Sequence, residues 1–254
     1  MRVRAAITAA TLLTALTTST TLTAGPALAV AGGSDVAPGQ YGFTAKLAMT
    51  GIPRPDGSTY ASFCSGALVA PGWIITTGHC FHDANRARVS GPVPYPTTVT
   101  LGLVDEAKEK GVTRKVTQVL QAGPNDVALA QLDSPVTEVT PLTVNKLVPG
   151  AGQRLTLAGW GSLTATNPTP STKLQQGEVQ ISSVSATTAT VHGVSPAAST
   201  SACAYDSGAP YFVPSGSGGQ LISVETNGPD CPHTSPETTS RVDVLADWIA
   251  EHAK

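Results

Sequence analysis

Three polar residues stand in short, distinctive contexts: His79 in Thr77-Gly78-His79-Cys80, Asp126 in Asn125-Asp126-Val127-Ala128-Leu129-Ala130, and Ser207 in Cys203-Ala204-Tyr205-Asp206-Ser207-Gly208. A serine hydroxyl is a weak nucleophile until a neighbouring imidazole removes its proton, and a carboxylate behind the ring fixes its tautomer. Brought together, the three groups could attack an acyl carbon. Each alone has a plainer account. A Ser-Gly pair makes a turn, a histidine beside a cysteine is structural, and an aspartate can open a strand. A metal site is the weaker reading of the same neighbourhood. His79-x-x-His82 and Cys231-x-His233 have metal-like spacing, but no Cys-x-x-Cys pair accompanies them.

The elements available to position these groups are short strands. Apolar runs at Phe43–Met49, Phe63–Val69, Trp73–Thr77, Thr97–Leu103, Arg114–Leu120 and Val127–Leu132 form a first series. Arg154–Trp160, Leu174–Ser182, Ala189–His192, Pro210–Val213 and Gln220–Glu225 form a second. Turn clusters such as Pro53-Arg54-Pro55-Asp56-Gly57 and Gly123-Pro124-Asn125 separate them, the pattern of a sandwich or barrel. Only Val242 to Ala253 has helical spacing, with Val242, Leu245, Trp248 and Ile249 on one face. Two β-units joined near Ser134–Val148 are expected, without a short-period repeat.

Composition narrows the function. The chain has 254 residues, 41% apolar and 13% charged, with a net charge of −2. That balance excludes the basic footprint of a nucleic-acid binder and the polarity of a disordered chain. No uninterrupted apolar run is long enough to mark a stable membrane span. At the start, Arg2 and Arg4 precede an acid-free, threonine-rich apolar stretch from Ala5 to Leu22, followed by Ala27-Leu28-Ala29. That order reads as an export signal over residues 1–29, with an amphipathic surface helix as the alternative. Cleavage at Ala29-Val30-Ala31 fits the same small-x-small rule. Export to an oxidising compartment makes Cys64, Cys80, Cys203 and Cys231 disulfide candidates.

Together these segments resemble the chymotrypsin/trypsin family of secreted serine proteases, in its bacterial trypsin-like form. Cys64-Ser65-Gly66-Ala67-Leu68-Val69 through Trp73 to Cys80 matches the family's first cysteine pair and its histidine. The segment around Asp126 looks like the family's aspartate strand, and Cys203 to Pro210 its nucleophile motif. Ala158-Gly159-Trp160-Gly161 and the Trp248 tail also fall where the family has them. The likeness runs from Val30 to the C-terminus, and the order His, Asp, Ser separates it from α/β-hydrolases. It implies an all-β fold of two packed six-stranded antiparallel barrels with a C-terminal helix. The first barrel is expected at about residues 30–140, the second at 141–241, and the helix at 242–253. It pairs Cys64 with Cys80 and Cys203 with Cys231, pairings that the local sequence also favours.

The same resemblance implies roles. His79 is the general base, Asp126 its partner and Ser207 the nucleophile, with the backbone N–H groups of Tyr205 and Ser207 facing the oxyanion. Val30-Ala31-Gly32-Gly33 looks like the mature amino terminus, whose α-amine would pair with Asp206. The expected activity is a secreted, monomeric serine endopeptidase acting on protein or peptide, with no cofactor, no metal, no nucleic acid and no membrane after signal cleavage. A catalytically weak, protease-like binding protein and an esterase are the rivals.

Two departures bear on that expectation. Tyr205 stands where the family has glycine, which predicts narrowed substrate choice or reduced turnover. The specificity pocket is mixed. Ser201 falls at its floor and Glu237 at a wall usually held by glycine, where a carboxylate could pair a basic substrate side chain, plug the pocket or point to solvent. Ser223 or Glu225 fills the strand that lines the pocket. Asp105, Glu106 and Glu109 form an acidic loop that reads as solvated, with calcium as the less favoured alternative.

Overall fold

The computed structural model describes residues 30–254; the expected export signal, residues 1–29, lies outside them. The first strand set comprises β1 (Thr44–Pro53), β2 (Thr59–Ala70), β3 (Trp73–Thr76), β4 (Thr97–Leu101), β5 (Val112–Gln121) and β6 (Ala128–Leu132). Every pairing is antiparallel, and the ring closes in the order β1-β2-β3-β6-β5-β4 and back to β1. The second set comprises β7 (Arg154–Gly159), β8 (Gln175–Val184), β9 (Thr188–Ser195), β10 (Pro210–Ser215), β11 (Gly218–Asn227) and β12 (Glu237–Arg241). It closes as β7-β8-β9-β12-β11-β10 and back to β7. The architecture is therefore two six-stranded antiparallel barrels with a short C-terminal helix. Closure removes the free sheet edges that short strands would otherwise expose.

Inward-facing side chains explain why the strands close. Leu47, Ala67, Leu68, Ile74, Ile75, Val99 and Leu129 are fully buried in the first barrel, and Leu157, Val179, Ile181, Val191, Tyr211 and Ile222 in the second. Phe43 and Phe212 meet edge-to-face across the junction, ring centres 5.0 Å apart. Trp160 adds a bond from its indole N–H to the Thr44 carbonyl at 3.3 Å. A 3₁₀ turn (Asp243–Leu245) leads into α1 (Ala246–His252), and the Lys254 carbonyl accepts the Trp73 indole N–H. The C-terminal segment thus returns to the first barrel.

One expectation needs correction. The N-terminal residues do not belong to the first barrel: Ser34–Asp35 pairs with β8, and Val30 is buried among Leu155, Leu157 and Val179 of the second. Gly177 leaves the room for it, since a Cβ there would lie 3.3 Å from Val30 Cγ1. β12, whose residues are Glu-Thr-Thr-Ser-Arg, has no apolar run to announce it and completes the expected ring of six. The acidic loop carries no group of metal-ligating side chains among the described residues. Glu106 pairs with Lys46 at 2.8 Å, Glu109 accepts the Val104 N–H, and Asp105 accepts the Ala107 N–H.

Candidate active site

The first barrel supplies an imidazole and a carboxylate. β3 runs into the turn Gly78–Cys80, which carries His79 at the surface, and Asp126 lies just ahead of β6. His79 Nδ1 is 2.7 Å from Asp126 Oδ2, and the His79 backbone N–H donates to Asp126 Oδ1 at 2.8 Å. One carboxylate therefore fixes both the ring and its backbone. Burial pushes the Asp126 carboxyl up, but the hydrogen bonds and charge of His79, with Arg88 behind, carry it below its ordinary value.

Two side chains hold that pair in place. The Gln121 amide donates to the carbonyls of Gly78, Phe81 and Val89, cradling the histidine turn. Arg88 donates from Nη1 to the Asn125 carbonyl at 2.5 Å and from Nη2 to the Gly123 carbonyl at 3.0 Å. The same Nη1 is 3.6 Å from Asp126 Oδ1. Gly78 has no room for a side chain, since a Cβ there would meet Gln121 Oε1 at 2.3 Å.

The hydroxyl comes from the loop that leads into β10. Ser207 is half-buried, and its carbonyl accepts the Ser65 N–H at 2.9 Å. The Ser65 hydroxyl donates to the Tyr205 carbonyl and accepts the Trp160 N–H, each at 3.1 Å. One small residue of β2 thereby ties the Ser207 loop to the first barrel. Gly208 has φ +86°, and a Cβ there would lie 2.2 Å from Thr76 Oγ1. That close approach lets the loop press against the strand that leads into the His79 turn. The disulfides Cys64–Cys80 and Cys203–Cys231 flank the two halves as expected.

His79, Asp126 and Ser207 line one cleft of about 510 Å³. Ser207 Oγ makes no hydrogen bond among the described residues; contacts of this kind commonly tighten only when substrate is bound. The backbone N–H groups of Tyr205 and Ser207 donate to no acceptor among the described residues, so both are available to a ligand oxygen. Tyr205 reaches this arrangement at φ +75°, a left-handed conformation that favours glycine. Its ring stacks edge-on to Phe63 at 5.8 Å, and its hydroxyl donates to the Pro168 carbonyl.

Asp206 points away from the cleft and is fully buried. Its carboxylate accepts the Gly161 N–H at 2.8 Å and the Cys203 N–H at 3.0 Å, and has no cation partner among the described residues. Burial first, and then the charge of Glu237, push it up to about 7. In this uncut chain the Val30 nitrogen is a peptide nitrogen. The Val30 carbonyl accepts the Gly33 N–H, and the Ala31 carbonyl accepts the Ser201 N–H.

Of the four pocket residues expected from sequence, Glu225 lines the cleft; Ser201, Ser223 and Glu237 lie buried outside the lining. Ser201 Oγ accepts the His233 N–H, while the Ser223 hydroxyl has no partner. Glu237 does not point to solvent. Its Oε1 accepts the Ala202 N–H at 2.6 Å, and the Tyr211 hydroxyl lies 2.7 Å from both Glu237 Oε2 and Glu225 Oε2. Burial raises both carboxyls, Glu225 well above its ordinary value, and the Glu237 charge pushes Glu225 further. The phenol has one proton to give, so a second proton on one of the acids completes the bridge. Tyr211, Arg88, Gln121 and Ser65 were not singled out from sequence. The nearest signal was Ser65 beside Cys64; the others act over chain separations that no motif spans.

With this geometry in view, comparison with known proteins is specific: the family model for trypsin matches residues 30–249. The chain belongs to the trypsin family. Human transmembrane protease serine 5 is 25% identical over 245 residues, covering 89% of this chain and 52% of the relative. Mouse serine protease 56 is 28% identical, covering 87% of this chain and 38% of the relative. Human azurocidin is 30% identical over 152 residues, covering 54% of this chain and 53% of the relative. The chain spans about half or less of the length of these curated relatives, all of them mammalian.

Proposed function

We propose that this trypsin-family chain is a secreted serine endopeptidase. The observation that carries the reading is the 2.7 Å contact between His79 Nδ1 and Asp126 in a cleft that also holds Ser207, with the unpaired backbone N–H groups of Ser207 and nearby Tyr205 beside it. Ser207 Oγ attacks the scissile carbonyl while His79 Nε2 takes its proton. Asp126 stabilises the resulting imidazolium through Nδ1. The N–H groups of Tyr205 and Ser207 bind the oxyanion, a contribution typically worth roughly 100- to 1000-fold per donor. His79 then protonates the leaving amine, and water hydrolyses the acyl-enzyme by the reverse sequence of proton transfers.

Two further assignments belong to this reading. Cleavage after Ala29 frees the Val30 amine, which pairs with Asp206 and switches the site on; export and activation are then one cut. The two disulfides fit an oxidising compartment outside the cytosol. The test is a peptide-library cleavage profile of residues 30–254 against a Ser207→Ala control. Internal cleavage lost in the variant is the expected result. Hydrolysis of simple esters without cleavage of peptide amides supports an esterase instead. The strained backbone of Tyr205 favours a second reading, a weakly catalytic binding protein, which predicts no cleavage of either.

A further inference from the structure

Beyond the catalytic cleft, a second hollow of about 240 Å³ begins at Ser207 and His79 and runs past the Cys64–Cys80 disulfide to Tyr60, His82 and Arg86. Tyr60 and Arg86 are also the near wall of a neighbouring hollow of about 550 Å³, lined by Arg54, Asn85 and three other residues beyond them. The two hollows share Tyr60 and Arg86, so both arginines lie on the side of the smaller hollow away from Ser207. The Arg54 guanidinium stacks 4.5 Å above the Tyr60 ring, and that of Arg86 lies 5.9 Å from the same ring centre. Arg86 Nη1 donates to the Tyr60 hydroxyl at 3.0 Å and contacts His82 Nε2 at 2.9 Å. His82 Nδ1 sits 2.6 Å from the Asp83 carbonyl, which can only accept, so its other nitrogen accepts from Arg86.

Neither arginine has a carboxylate within ion-pair distance among the described residues; Arg88, Arg154 and Arg241 each do. Asp83 spends one carboxylate oxygen on the Asn85 and Ala87 N–H groups, and Asp56 one on Ser58. Arg54 and Arg86 both use only Nη1 within the protein, leaving Nη2 and Nε of each to a ligand. Two exposed cations thus share one aromatic platform, held open with donors unspent. The catalytic cleft has the opposite character: its lining holds exposed Asp230 and no lysine or arginine.

We infer that Arg54 and Arg86 form a carboxylate-binding subsite for the leaving half of the substrate. An aspartate or glutamate a few residues beyond the scissile bond would lie between the two guanidiniums. The direction follows from the proposed endopeptidase reading, on which this inference rests: the acyl side chain enters the acid-lined cleft, and the chain beyond the bond runs over Tyr205 toward Arg86. A groove acidic at one end and basic at the other also orients the peptide before chemistry.

The test scans aspartate, asparagine and lysine through each position after the cleaved bond in otherwise identical peptides. At one position aspartate should raise kcat/KM about 5-fold over asparagine, and lysine should lower it, with the contrast shrinking at high salt. Arg54→Ala and Arg86→Gln should each erase most of the contrast while leaving hydrolysis of short substrates without a leaving peptide unchanged. Arg114→Ala, remote from the cleft, should preserve it. Binding of the same labelled peptides to Ser207→Ala gives a readout that needs no turnover. Equal affinity for aspartate and asparagine at every position overturns the subsite. So does a contrast that survives both arginine variants, or binding of sulfated polysaccharide in place of peptide. Failure of the endopeptidase reading looks different: the wild type cleaves nothing, whatever the peptides' binding order.

Discussion

A buried carboxylate without a cation is a costly arrangement, and Asp206 is the place where that cost can be measured. With the Val30 nitrogen still in a peptide bond, Asp206 has two N–H donors and titrates near 7 instead of 3.8. That gap corresponds to about 4 kcal/mol. The folded value is the higher one, so the folded protein holds the proton more tightly. The associated stability is complete below the unfolded value, falls as pH rises, and is gone above about 7. Adding one alanine ahead of Val30 in the mature protein should keep the amine from Asp206. Urea unfolding of that form should show about 2–3 kcal/mol less stability at pH 8 than at pH 5 from this residue alone. Glu225 and Glu237, also raised by burial, add to the same trend, so Asp206→Asn in the extended form isolates its share by removing it. The mature form should lose the Asp206 share as its amine compensates the charge, and it should hydrolyse peptides far faster than the extended form. The reasoning is refuted if extended and mature forms share one pH dependence, or if Asp206→Asn leaves mature turnover intact.

Other outcomes follow from the same geometry. Arg88→Ala removes two carbonyl bonds and the charge behind Asp126 and should cut kcat about 10-fold with little change in KM, an effect of one charge-assisted contact. Tyr205→Gly relieves a backbone strain of about 1 kcal/mol but gives up the Phe63 contact, of similar size. Thermal melts should therefore move little, while turnover on bulky leaving groups should rise. Replacing Cys203 and Cys231 together by alanine opens a loop spanning 28 residues and should cost about 3.5 kcal/mol by chemical denaturation.

What the sequence disclosed depended on how local the signal was. The strands with apolar alternation were legible because one face of each is buried in a barrel core. β12 was not, because its polar side chains are satisfied internally. Thr239 donates to the Ala189 carbonyl, Ser240 accepts from Thr226, and Arg241 bonds Asp243 and the Ser185 carbonyl. All of those partners but Asp243 lie 14 or more residues away, so no periodicity announces it. The same holds at the site. His79, Asp126 and Ser207 sit in short recognisable contexts, whereas Arg88 and Gln121 act through carbonyls far along the sequence. Glu237 illustrates the limit most clearly. Its position near the pocket could be inferred, but its sharing of the Tyr211 hydroxyl with Glu225 required the packed second barrel.

The central claim is that Ser207 is made nucleophilic by His79. Reaction of the mature protein with a fluorophosphonate, followed by peptide mass mapping, tests it most directly. A single phosphonylated residue, Ser207, is expected, with labelling abolished by Ser207→Ala and strongly slowed by His79→Ala. An unlabelled wild type, or a label carried by another residue, contradicts it.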